Sequence, residues 1–292
     1  MRFATLEIGG RARPVVISND ERSYCDVSQL VPGFTGDMTD LIALMPSPSS
    51  TLGDIGSWLP LTGRKLLAPI VPRRNIFCVG KNYHAHAREF AQSGFDTSAA
   101  KGELSPEVPV IFTKPPSTVI ATGEPVSGFS GLTEQLDYEV ELTVVIGKGG
   151  RGIAKADALD HVFGYTIAND VTARDLQQKH RQWFIGKSFD TFCPLGPWIV
   201  SADEVDVANL DVRCWINDEL RQDANTRDLI FDVPTIIETL SAGITLQPGD
   251  LIATGTPAGV GLGLKPPRFL KTGDTMKLSI GGVGTLINPV GR

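Results

Sequence analysis

The chain has 292 residues, 41% of them hydrophobic, and a formal net charge of −6. That length allows one large or two modest domains around a sizeable core, and an acidic balance with no basic block argues against nucleic acid or an anionic membrane as partner. Four scattered cysteines (Cys25, Cys78, Cys193, Cys214) form no CxxC pair, which argues against a zinc cluster or disulfide framework and fits a reducing compartment.

The opening MRFATLEIGGRARP has no apolar signal core, and no run reaches about 18 apolar residues, so the expected location is the cytoplasm. Residues 1–70 read as a small N-terminal α/β module. A strand at Phe3–Ile8 turns at Gly9-Gly10 into a strand at Val15–Ser18, and a loop-rich stretch follows, with PSPSSTLGDIG at 46–56. A new apolar strand, Ile76–Val79, opens the second unit, residues 71–292. The segment CVGKNYHAHAREFAQSG (78–94) then runs through a tight turn into a helix at His84–Gln92. His86 and Glu89 are i and i+3 on that helix and share a face. A histidine oriented by a carboxylate makes a general base; a solvated surface pair has the same spacing. Residues 97–109 read as a loop beside this helix, either a cover over substrate or plain surface.

After a strand at Val110–Thr113 comes LDYEVELTVVIG, in which Asp137, Glu139 and Glu141 alternate with apolar residues. Period two marks a strand, Leu136–Ile146, with its acids on one face. Neighbouring acids lie about 6.6 Å apart at the backbone, given a strand rise near 3.3 Å per residue. Like charges so close call for a cation or a proton, and a divalent metal supplies the first. A wet acidic face is the plainer reading of the same pattern.

The run Gly147–Gly152 (GKGGRG) matches the G-x-G-x-x-G of a dinucleotide fold, which would make the chain a nicotinamide-dependent oxidoreductase. Two features oppose that. The preceding strand carries three acids where such a strand is apolar on both faces, and Lys155–His161 is short for a crossover helix. A glycine-rich hairpin connection is expected instead.

The strand Val162–Ala168 ends in Asn169-Asp170, where a carboxylate is placed either as a further metal ligand or as a turn or cap residue. Arg174 and Gln177 follow at helical spacing, with Arg174 facing an anionic substrate or pairing with Asp170. Lys187 sits among aromatic residues in WFIGKSFDTFCPLGPW, either snorkelling from the core or held as a cation for a developing oxyanion. Further strands are expected at Trp198–Val200, Val212–Asn217, Leu251–Ala253 and Met276–Ile280, with Asn217-Asp218 as a hairpin turn. Asp232 caps a helix at Val233–Ser241, which carries Pro234 in its first turn. Thr254 and Thr256 follow in LIATGTPAGVG. Many strands and few helices define a β-rich α+β fold.

Six of these segments, CVGKNYHAHARE, IFTKPPST, LDYEVELTVVIGKGGRGI, GYTIANDVTARDLQ, QWFIGKSFDTFCPLGP and GDLIATGTPAGVG, together resemble the fumarylacetoacetate hydrolase superfamily, from about residue 72 to the C-terminus. The phrases GKSFDTFCPLGP and KPPRFLKTGD look closest to its domain-containing 2 branch, some of whose members are described as oxaloacetate tautomerases. The resemblance implies a β-rich mixed-sheet catalytic domain, a homodimer, and a Mg²⁺ or Mn²⁺ site on Glu139, Glu141 and Asp170. It places His86 and Glu89 as the water-activating pair, Lys187 beside the substrate, and Thr256 and Gln177 in contact with it. Asp137 has no ligand role in that pattern and is expected behind the ligands. Val79 falls near the place of an additional aspartate found in longer members, so a three-carboxylate site is expected.

The reaction that follows is C–C bond hydrolysis of an acylpyruvate-type 2,4-dioxo acid through a metal-stabilised enolate, as in aromatic catabolism. The same enolate would serve an oxaloacetate tautomerase or decarboxylase, or a 2-hydroxymuconate-type isomerase. The expected partner in every case is a small 2-oxo acid.

Overall fold

The computed structural model describes residues 1–47, 57–93 and 105–292. The N-terminal part supplies β1 (Arg2–Ile8), β2 (Arg11–Ile17), β3 (Ser23–Asp26), α1 (Val27–Leu30), α2 (Met38–Leu44), β4 (Leu59–Pro60) and β5 (Leu66–Leu67). Then come β6 (Ile76–Gly80), α3 (His84–Ser93), β7 (Val110–Lys114), β8 (Val119–Ile120), β9 (Leu136–Asp137), β10 (Val140–Ile146), β11 (Val162–Asn169) and β12 (Thr172–Ala173). The chain finishes with α4 (Arg174–Lys179), α5 (Phe184–Lys187), β13 (Cys193–Ser201), β14 (Asp211–Ile216), β15 (Glu219–Asn225), α6 (Val233–Ser241), β16 (Leu251–Ala253), β17 (Thr275–Ile280) and β18 (Gly284–Pro289). The expected β-rich α+β class is the one observed. The loop at 97–104 and most of the 46–56 stretch lie outside the described residues.

Among the described residues a large sheet runs β4-β3-β2-β1-β13-β11-β10-β16-β6-β7. Its neighbours are antiparallel except β16 with β6. β1 pairs with β13 through Arg2↔Val200 and Phe3↔Ile199, so the sheet of the first 70 residues continues into that of the remainder. A smaller sheet, β15-β14-β17-β18, packs against it.

Alternation along β10 sends Val140, Leu142, Val144 and Ile146 into one apolar cluster, together with Val212 and Leu278 of the small sheet and Ile236 and Leu240 of α6. Val145 joins a second cluster on the other face, with Phe163, Leu195, and Leu41 and Ile42 of α2. β10 is therefore buried on both faces and carries only Glu141 of the three acids, so that argument against a dinucleotide fold fails. The fold is excluded for a different reason: β10 and β11, on either side of the glycine run, are antiparallel neighbours, whereas that motif needs parallel strands.

Local signals hold at the ends of elements. Asp232 caps α6 by accepting from Thr235 N–H at 2.8 Å. The turn from β14 to β15 puts Asn217 at φ 50° and Asp218 at φ 66°, the left-handed pair that a two-residue hairpin demands.

Candidate active site

Leu136–Ile146 is not one strand. β9 turns away to pair with β12 (Thr172↔Asp137), and β10 begins only at Val140, opposite Asn169 of β11. The interruption is tied down on both sides. Asn169 Oδ1 accepts from Glu139 N–H at 3.0 Å, and Asp170 N–H donates to Glu139 O at 2.9 Å. Glu139 precedes β10, Glu141 lies on it and Asp170 follows β11, and the three offer carboxylate oxygens within 4.8 Å of one another. All three are buried. Asp137 leaves this row, against the single acidic face that the alternation predicted, and accepts from Arg174 Nε at 2.8 Å and from the Gly261 and Leu262 N–H groups at 2.7 and 3.0 Å.

Three buried cations answer the acids. Lys187 Nζ donates to Asp170 Oδ2 at 2.6 Å, Thr172 Oγ1 at 2.8 Å and Glu139 Oε2 at 3.1 Å. Lys114 Nζ, from the end of β7, donates to Asp170 Oδ1 at 2.7 Å, to Val171 O at 3.2 Å and to the carbonyl of Lys187. Arg174 lies 2.6 Å from Glu139 Oε1 and bonds Asp137, not Asp170 as one sequence reading had it. Its position in the chain allowed either acid; the β9–β12 ribbon decides, because it brings Asp137 across the start of α4.

Burial alone would raise the Glu139 carboxyl, but the Lys187 and Arg174 cations outweigh it and hold that group below the usual range. Glu141 goes the other way. Burial, then the charges of Asp170 and Glu139, push it well above its ordinary value, and the single N–H from Gly255 at 3.0 Å does not compensate. A carboxyl so raised, beside two others, is a site that gains by exchanging its proton for a cation. Three carboxylates of this kind form a donor set for a hard divalent ion, so the residues fit a metal.

Glu139 and Glu141 line one small cavity together with His86, Arg174, Gln177, Lys187 and Thr256, and the two remaining candidates, Asp170 and Glu89, bond to the lining residues Lys187 and His86. His86 Nδ1 is 3.1 Å from Glu89 Oε2, and Glu89 Oε1 accepts from Gly259 N–H at 3.0 Å. His86 is almost fully buried, so the solvated-pair reading does not hold. Gly263 makes room for this pair, since a Cβ there would stand 1.9 Å from Glu89 Oε1. Gln177 Oε1 accepts from Arg174 Nη1 at 3.1 Å, which leaves its amide hydrogens to face the cavity. Phe90, Phe112 and Trp183 form an apolar wall, with Trp183 edge-on to the other two.

Lys114, Trp183 and Gln222 were not singled out from the sequence. Lys114 carried the signal of a lone cation at the end of the apolar run VIFTK. Gln222 of β15, which bonds Val140, Thr256 and Pro257, carried none, because these partners are far from it in the chain.

A family model described as fumarylacetoacetate (FAA) hydrolase C-terminal matches residues 75–291. An oxaloacetate tautomerase of Bacillus subtilis (strain 168) is 44% identical over 313 residues, covering 100% of both chains. The solved structure of a fumarylacetoacetate hydrolase from Exiguobacterium antarcticum superposes with a TM-score of 0.87 at 43% identity, covering 100% of this chain and 99% of that one. A maleylpyruvate hydrolase from Sphingobium sp. SYK-6, solved with manganese(II) and pyruvate, superposes with a TM-score of 0.75 at 33% identity and full coverage of both chains. The chain is an enzyme belonging to the fumarylacetoacetate hydrolase family, whose members act as hydrolases, isomerases or tautomerases.

Proposed function

We propose that the enzyme interconverts the keto and enol forms of a short 2-oxo dicarboxylate, with oxaloacetate as the reference substrate, at a Mg²⁺ or Mn²⁺ site. One observation carries the reading: two members of a three-carboxylate cluster, Glu139 and Glu141, and a histidine locked by its own carboxylate line the same small cavity. Bound to Glu139, Glu141 and Asp170, the cation would supply Lewis acidity to a 2-oxo acid held through its carboxylate and keto oxygens.

The chain's own groups do the rest. Glu89 accepts from Nδ1–H of His86, which leaves Nε2 as the basic nitrogen. In the keto-to-enol direction Nε2 takes the proton from C3 and a proton from water is added to the 2-oxygen; in the reverse direction the hydroxyl proton leaves to water and Nε2 returns a proton to C3. No carbon–carbon bond changes. The Gly259 N–H keeps Glu89 from swinging away between turnovers. Lys187 and Arg174 hold Glu139 ionised, and the amide of Gln177 and the hydroxyl of Thr256, both in the cavity lining, would meet the substrate's oxygens.

The sequence alone favoured hydrolysis. The full-length likeness to an oxaloacetate tautomerase supports proton transfer instead. Acylpyruvate hydrolysis is the second reading, favoured by the His86–Glu89 pair, which suits water activation equally well, and by the likeness to a maleylpyruvate hydrolase.

A substrate panel followed by NMR with Mg²⁺ or Mn²⁺ separates the two. Enol-oxaloacetate should pass to the keto form with no pyruvate and no carbon dioxide, while acetylpyruvate and fumarylpyruvate stay intact. Faster cleavage of an acylpyruvate would install the second reading, and inertness towards all three would sink both.

A further inference from the structure

Gln222 of β15 is fully buried, and all three of its bonds run to the site. Its Oε1 accepts from Val140 N–H at 3.1 Å; its Nε2 donates to Pro257 O and to Thr256 Oγ1, each at 2.8 Å. The amide can face only one way. A peptide N–H must meet an acceptor and a peptide carbonyl must meet a donor, so Val140 selects Oε1 and Pro257 selects Nε2. Both amide hydrogens are then used. Thr256 Oγ1 is therefore an acceptor toward Gln222, and its single hydrogen is left to point elsewhere. Thr256 is buried and lines the cavity.

We propose that Gln222 is a positioning residue that fixes the Thr256 hydroxyl as a one-way donor into the cavity, so that this subsite accepts only an oxygen acceptor of the ligand, a carboxylate or keto oxygen, and rejects a donor such as an amide N–H₂. The same amide grips Val140, between Glu139 and Glu141, and so sets the carboxylate strand and the threonine turn at a constant spacing. The proposal rests on the 2-oxo acid reading of the cavity but not on which reaction follows.

The test is a double-mutant cycle read by calorimetric titration of oxalate, an unreactive dianion, into the Mn²⁺-loaded protein. A carboxylate in place of the Gln222 amide would accept the Thr256 proton and reverse the hydroxyl, so Gln222→Glu should weaken oxalate about tenfold to a hundredfold. Thr256→Val, which removes the hydroxyl, should do the same, and Thr256→Ser should restore binding. In the Thr256→Val background Gln222→Glu should add less than about threefold. An equal loss in both backgrounds would show that Gln222 only supports the fold and would overturn the proposal. If Gln222→Glu does not fold, oxamate, with an amide in place of one carboxylate, is titrated instead. Wild type should discriminate strongly against it and Thr256→Val should not; equal discrimination by both overturns the proposal. Oxalate binding that follows this pattern without oxaloacetate turnover would reject the tautomerase reading alone.

Discussion

His86, Glu141 and Lys114 perform different tasks within a few ångströms, and their substitution should separate those tasks. His86→Ala removes the proton carrier but no ligand, so turnover should fall about 10²–10⁴-fold. Mn²⁺ affinity, measured by titration, should stay within about twofold, and equal losses of both would mark His86 as structural. Glu141, raised first by burial and then by Asp170 and Glu139, must give up a proton before it can bind a cation. Affinity should therefore fall as pH is lowered below that raised value, by up to about tenfold per unit, with protons released on binding. Calorimetry in buffers of different ionisation heat reads that release. Glu141→Gln should abolish it, and pH-independent affinity would refute the assignment. Lys114 is wholly buried against Asp170 and two carbonyls, so Lys114→Met strips Asp170 of one of its two cations, takes a donor from both carbonyls, and should cost roughly 3–5 kcal/mol in denaturant unfolding.

At the scale of elements, what the chain disclosed was whatever its own neighbours decide. The helix at Val233–Ser241 was legible because Asp232, Pro234 and an apolar stripe are all local, and it begins and ends where expected. The helix at Met38–Leu44 was overlooked although Asp37 and Asp40 form a capping box, since it stands in a stretch dense in turn formers and uses Asp in both places. The break at Tyr138–Glu139 could not be foreseen. The alternation runs unbroken through it, and only pairing with residues 172–173 pulls Asp137 out of line. Glu139 and Glu141 were legible from their period-two spacing, but that spacing equally included Asp137 and left Asp170 as ligand or cap. The resemblance therefore chose the set, whereas Gln222 acts through partners that no local pattern links. The seat of α3 against residues 261–263 is likewise non-local and can be tested. Gly263→Ala should drive Glu89 from His86, and kcat should fall about as far as in Glu89→Gln while Tm changes little. Wild-type turnover in Gly263→Ala would show that the pair tolerates displacement.

Across the whole molecule, the first 70 residues are stitched to the rest by β1–β13 pairing and by Phe3, Leu6, Val15 and Val16 in the two apolar clusters. A chain cut to residues 71–292 would bare the β13 edge and should lose cooperative thermal unfolding; a sharp transition at the native Tm would show that the remainder folds unaided. The charges at the centre have a consequence of their own. While Glu141 keeps its proton, Asp137, Glu139 and Asp170 are matched one for one by Lys114, Arg174 and Lys187, and the charges of these six side chains cancel. Trading that proton for a doubly positive ion leaves a surplus of one. The arriving ion thus adds one positive charge to the cluster and strengthens its pull on an anionic guest, which favours an entry sequence of ion first and acid second.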